Sequence, residues 1–242
     1  MKSIQEEMWK EVWEKKGDPA KKGLKPSSIW DLVVMNGYDS GADGISMSHW
    51  ERWVERLKAE IPNYADVRSW LDVGCGSGAF LFSQAEKIDL CGFDYSESLI
   101  ERARKFARPL GKPATLYVGD LTDKSLHLPQ TDIISCVSSL QYVPEEAGLF
   151  RFSTLLDCAK MGVLIAENPC KKLMKSGSKF RDDNLGYDAG DDYAHTYYSV
   201  FDFNQIAIKR GFKPRKIQAK LGMQSSYRWS MYYEKVVLSS AK

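Results

Sequence analysis

The sequence predicts an α/β fold organised on a mostly parallel sheet, and three observations carry that prediction. Apolar runs of strand length recur at 68–73, 89–94, 114–119, 132–137 and 162–167. Helix-like stretches at 79–87, 97–108 and 145–160 separate most of them, although the link at 120–131 is shorter and less regular. The first run empties into a turn with glycines at 74, 76 and 78, and an apolar helical pattern starts at once. Strands joined through helices lie parallel, and ligands of such sheets gather beyond the carboxyl ends of the strands.

Bulk properties narrow the class. With 242 residues, the chain fits a single domain, 1–242, that buries a core without disulfide or metal staples. Its 34 basic and 32 acidic residues nearly cancel, which argues against bulk attraction to nucleic acid and favours a small-molecule partner. No apolar run reaches the roughly 18–20 residues of a membrane span, and the N-terminus lacks the basic-then-apolar form of a signal peptide. The cysteines at 75, 91, 136, 158 and 170 are odd in number and lack metal-site spacing, so no metal centre is expected and a reducing, cytoplasmic setting is.

Before the first strand, residues 4–14 read as an amphipathic helix, 29–35 as a short apolar segment and 36–44 as a glycine-rich loop holding Tyr38. Ser48 and Glu51 resemble a capping box, followed by an apolar face of Trp50, Trp53, Val54, Leu57 and Ile61. Residues 1–62 thus read as a helical cap within the domain. At 170–194 the rhythm breaks into a lysine- and aspartate-rich stretch expected to be a long loop, either a surface excursion or, over 170–200, a lid or acceptor-binding insertion. A short helix from Asp202, with Gln205 completing its box, ends at Gly211, and strands follow at 215–221 and 229–238.

Acids punctuate the strand ends. Asp72 precedes Gly74-Cys-Gly-Ser-Gly78, Asp94 and Tyr95 end the second run, and Gly119-Asp120-Leu121 follows the third. Over about residues 68–168 this pattern resembles the class I S-adenosylmethionine-dependent methyltransferases, and within them the small-molecule branch. The resemblance implies a Rossmann-like, seven-stranded, mostly parallel sheet with an antiparallel closing strand and helices on both faces. It implies S-adenosyl-L-methionine as cofactor and methyl transfer to oxygen of a small metabolite. Amine methylation is the alternative, ahead of RNA or protein methylation and of a non-catalytic cofactor-binding protein.

Residue by residue, the resemblance sets Asp72, Gly74, Gly76 and Gly78 at the amino-acid end of the cofactor, with Cys75 giving space and backbone there. Asp94 would hold both ribose hydroxyls, which takes two acceptor oxygens at once. Tyr95 would lie beside the adenine, Asp120 would accept from its amino group, and Leu121 would give backbone and an apolar wall. Ser138 and Tyr142 would line the channel between cofactor and acceptor, and Tyr38 would cover the cofactor. A nicotinamide site would need the Gly-x-Gly-x-x-Gly spacing, which this turn lacks. Gln141-Tyr142 stands where many members carry a histidine, so a familiar base is missing.

His195, in Tyr193-Ala-His-Thr-Tyr-Tyr-Ser199, is the candidate general base, with Tyr142 and Tyr198 as assisting candidates. A structural loop histidine and a core tyrosine are the bland alternatives. Arg228 would pair either with an anionic acceptor or with an acid of the fold. Trp9, Trp13 and Trp30 would form a homodimer patch or pack onto their own domain.

Overall fold

In the computed structural model, residues 13, 28–36, 44–185, 195–222 and 226–236 are described. The expected helix at 4–14, apart from Trp13, the loop with Tyr38 and residues 186–194 lie outside them. The centre is a seven-stranded sheet of β1 (Ser69–Val73), β2 (Asp89–Asp94), β3 (Ala114–Val118), β4 (Thr131–Val137), β5 (Ala159–Pro169), β6 (Phe212–Ile217) and β7 (Arg228–Lys235). Their order is β3-β2-β1-β4-β5-β7-β6. Neighbours among β1 to β5 run parallel, whereas β7 is antiparallel to both β5 and β6. The order reverses between β1 and β4, and that is where an open sheet leaves a crevice. This is the Rossmann-like arrangement of class I methyltransferases.

Helices cover both faces. Helix α1 (Ile29–Met35), α2 (Met47–Ala59), α3 (Ala79–Phe82) and α4 (Glu97–Ala107) lie on one side, where Trp53, Trp70 and Phe80 belong to one buried cluster. On the other, α5 (Glu145–Cys158) and α7 (Val200–Lys209) pack Phe152 against Phe203, and Phe152 in turn meets Tyr233 of β7. Strand β1 feeds both layers, with Trp70 on the first side and Leu71 and Val73 on the second, as a strand buried on both faces must. Among the described residues no helix is long and apolar enough to cross a membrane.

Several local expectations shift. The cap of α2 is Ser46, whose hydroxyl accepts from His49 N; Ser48 lies 3.1 Å from it inside the first turn. Likewise Ser199, not Asp202, caps α7, leaving Asp202 in the first turn where its charge suits the helix dipole. Helix α3 spans four residues instead of nine, because Ser83 and Gln84 turn their side chains back onto the carbonyls of Ala79 and Phe80. The last two strands begin earlier than predicted, at 212 and 228. The expected loop after residue 170 instead holds a short 3₁₀ turn and helix α6 (Met174–Leu185).

One buried cation organises the irregular link after β3. Arg151 of α5 has no solvent exposure, and its guanidinium donates to the carbonyls of Leu121 (2.9 Å), Asp123 and Leu126. It pins residues 121–126 to the helix beneath. Arg151→Ala would orphan those carbonyls, and hydrogen bonds to charged groups are worth about 1.5–3 kcal/mol each. A loss of about 3 kcal/mol in denaturant-unfolding stability is expected, while Arg151→Lys recovers part of it.

Candidate active site

The crevice at the carboxyl edge of β1, β2 and β4 is built around the glycine turn. Gly74 has φ +69°, and a Cβ there would meet Ser139 Oγ at 2.4 Å. Gly76 has φ +55°, and its Cβ would stand 3.2 Å from Asn36 Oδ1. Both positions therefore need glycine for conformation and for space. The turn is stitched to β2: Gly74 N and Cys75 N donate to Phe93 O at 2.9 and 3.0 Å, and Gly76 N donates to Asp94 Oδ2 at 2.9 Å. Gly78 precedes α3 and does not line the crevice. Its contribution is to start the helix.

Three strand-end acids meet there. Asp72, 2% exposed, accepts from Ser135 Oγ at 2.6 Å, and that hydroxyl accepts in turn from Trp70 Nε1 at 2.8 Å. Burial pushes the Asp72 carboxyl up to about 7; the Ser135 bond opposes the rise and the neighbouring Asp94 charge adds to it. Asp94 is 7% exposed, and its second oxygen accepts from Ser96 N at 3.0 Å. Asp120 closes an Asx turn, its Oδ1 accepting from Thr122 N and Oγ1 at 2.8 Å each. All three carboxylates line one crevice.

Cys75, Tyr95, Leu121, Ser138 and Tyr142 line it as well. The Cys75 thiol is pushed up, first by burial and then by Asp94 and Asp72, so it stays protonated and unreactive. Ser138 has a left-handed φ of +53°, strained for a residue with a side chain. Further lining residues include Asn36, Phe80, Thr122 and Ser139, which carry no site signal in the sequence, and Trp50, which reads there only as helix apolar face. Asn36 accepts from Ser77 Oγ at 2.9 Å and so ties α1 to the glycine turn from a stretch that reads only as loop.

The remaining candidates separate. His195 is not among the lining residues, but its ring packs edge-on to Tyr142, 5.4 Å between centroids. Tyr142 in turn meets Trp13 edge-on at 5.4 Å, so Trp13 packs onto its own domain. Tyr198, expected to assist catalysis, stands elsewhere. It is fully buried outside the crevice, and its hydroxyl faces the carbonyls of Leu140 and Val143 at 3.0 and 2.7 Å. Burial raises its pKa further, so the phenol works as a pin on the segment after β4 and not as a proton carrier. Arg228 Nη1 donates to Ser138 Oγ at 3.3 Å and to Glu167 O at 3.4 Å.

Comparison with known proteins agrees with this geometry. Residues 71–157 match the methyltransferase domain family. The chain is similar to aklanonic acid methyltransferase DauC of a Streptomyces species, with 34% identity over 93 residues, 36% of this chain and 42% of that protein. It is also similar to the ubiquinone biosynthesis O-methyltransferase of Photobacterium profundum, with 33% identity over 93 residues, 38% of this chain and 37% of the other. The chain thus spans about two fifths of the length of the curated relatives it matches. Among solved structures, magnesium protoporphyrin IX methyltransferase (ChlM) from Synechocystis PCC 6803 with bound SAH has a TM-score of 0.63 at 18% identity, covering 87% of this chain and 96% of that one. Residues 71–157 thus carry the sequence pattern of a methyltransferase domain, and the strand order throughout is that of the class I methyltransferase fold.

Proposed function

We propose that this protein transfers the methyl group of S-adenosylmethionine to an oxygen of a small metabolite. The observation that carries the reading is the convergence of Asp72, Asp94 and Asp120 on one crevice, around backbone that glycine keeps open. The donor set fits the cofactor. Asp72 is a buried carboxylate suited to an ammonium, and Asp94 presents an oxygen pair, fixed by two backbone amides, to a diol. Asp120 and the Leu121 backbone suit the adenine edge, and Tyr95 its face. Tyr38, in this reading, covers the bound cofactor from outside the described residues.

When bound, S-adenosylmethionine supplies an electrophilic methyl on a sulfonium centre. The chain's own work is then to exclude water and align the acceptor. Ser138 and Tyr142 wall the channel between the two, and the lid expected over 170–200, of which 170–185 and 195–200 are described, would cover the acceptor side. His195, held edge-on to Tyr142, takes the acceptor's proton where a hydroxyl is methylated. Oxygen is favoured over nitrogen because one relative is named an O-methyltransferase and another for an acid.

Asp94→Ala should weaken S-adenosylmethionine binding at least tenfold, read by equilibrium dialysis, with thermal unfolding close to wild type. An unchanged dissociation constant would remove the ribose assignment. Asp72 supplies a pH test. Its carboxyl must be ionised to hold an ammonium, so cofactor affinity should fall as the pH drops below about 7, and Asp72→Asn should bind weakly at every pH. The linked stability runs the other way. A folded carboxyl raised from 3.8 to about 7 holds a proton that the unfolded chain has lost, so the apoprotein loses stability as the pH rises through that window. Asp72→Asn should flatten that slope. Isotopically labelled S-adenosylmethionine incubated with a metabolite extract should yield a labelled small product whose fragments place the methyl on oxygen. With that acceptor, His195→Gln should lower turnover by about a hundredfold at neutral pH and abolish the low-pH limb of the rate profile; an unaltered profile means that no base acts there.

A further inference from the structure

Beside the crevice, on the β5, β7 and β6 side of the sheet's carboxyl edge, lies a second cavity of about 680 Å³. Its charge is one-sided. Lys171, Lys172, Lys216, Lys220 and Arg228 line it against a single carboxylate, Glu167. Lys171 is taken by Glu145 at 2.8 Å and the buried Glu167 offsets Arg228, so the cationic excess rests on Lys172, Lys216 and Lys220. The amino end of α7 opens onto the same space through Val200 and Phe201, adding the positive end of a helix dipole.

Trp229, Met231 and Ala219 supply apolar wall beside the cationic side chains. Cations and apolar surface together suit an oxyanion carried on an apolar skeleton. Arg228 joins the two spaces: it lines the second cavity while its guanidinium donates to Ser138 Oγ, which lines the crevice.

We propose that this cavity seats a carboxylate or phosphate group of the methyl acceptor, anchoring it while its nucleophilic atom reaches past Ser138 into the crevice. The role as acceptor anchor rests on the methyltransferase reading; the preference for anions does not. The test titrates the full chain with 2-naphthoate, 2-naphthyl phosphate and neutral 2-naphthamide by calorimetry, and measures labelled S-adenosylmethionine binding separately. At least one anion should bind about tenfold tighter than the amide, and the stronger of the two identifies the group. The exposed pair Lys216→Glu/Lys220→Glu should erase that preference. Lys160→Glu/Lys213→Glu, the same charge change at the opposite ends of β5 and β6, should keep it. Equal binding of amide and anions, or equal losses in both double variants, would overturn the anion site. If S-adenosylmethionine binds normally in either of those cases, only the anchor falls; if anion preference survives without cofactor binding, it is the methyltransferase reading that fails.

Discussion

Two buried carboxylates at the ends of adjacent parallel strands set the terms for this structure. Asp72 and Asp94 are almost fully withdrawn from water and each makes the other's charge more expensive. Among the described residues, the hydrogen-bond partner of Asp72 is a hydroxyl, Ser135, itself held by Trp70. Asp94 is answered by the amides of Gly76 and Ser96, which require a turn tight enough to aim backbone N–H groups at it. A site left this way favours a cation, and a bound ammonium would relieve what the fold only partly offsets. The glycine spacing, the strand ends and the polarity of the crevice follow from that arrangement.

The parts legible in the sequence are those where one physical signal acts alone. Strands β1, β2 and β4 are buried on both faces, so they read as largely apolar runs, and each ends within one residue of a polar position that lines the crevice. Caps are harder to read, because Ser46 and Ser48 are two residues apart and either satisfies a composition rule; only the approach of the chain selects Ser46. Apolar periodicity overstates helix α3 because Ser83 and Gln84 compete for the carbonyls of Ala79 and Phe80 through their side chains, which periodicity does not register. Asn36 gives no local signal because its role depends on α1 folding back across 41 positions to Ser77.

Tyr198 and Arg151 fall in the same class of long-range effect. Read locally, Tyr198 sits three residues from a histidine suited to catalysis. In the fold its hydroxyl spans to residues 140 and 143, and Gly148 leaves it room, since a Cβ there would collide with that oxygen. Arg151 reads as an ordinary helix cation and is instead wholly buried under a loop whose carbonyls it satisfies. Both fasten the segments carrying Leu121 and Tyr142 to the α5 layer. The crevice walls therefore owe their rigidity to residues that never touch its contents.

The reversal of β7 explains why the cationic cavity stands beside the crevice at all. In register, Arg228 pairs with Pro169, the last residue of β5, so the first residue of β7 lies at the edge where the parallel strands finish. A parallel seventh strand would put residue 235 there and carry Arg228 to the far side of the sheet. Strand β6, antiparallel to β7, ends at the same edge, which brings Lys216 and the following Lys220 alongside. Helix α7 precedes β6 and so begins at this edge as well, its capped amino end turned toward the same space. A single antiparallel strand thus gathers an arginine, two lysines and a helix terminus that are scattered over 199–228 in the chain, and Arg228 touches Ser138 across the boundary with the carboxylate-lined crevice. Acidic residues bound one space and basic residues the other, and a molecule with a polar, uncharged nucleophile at one end and an anion at the other matches that division.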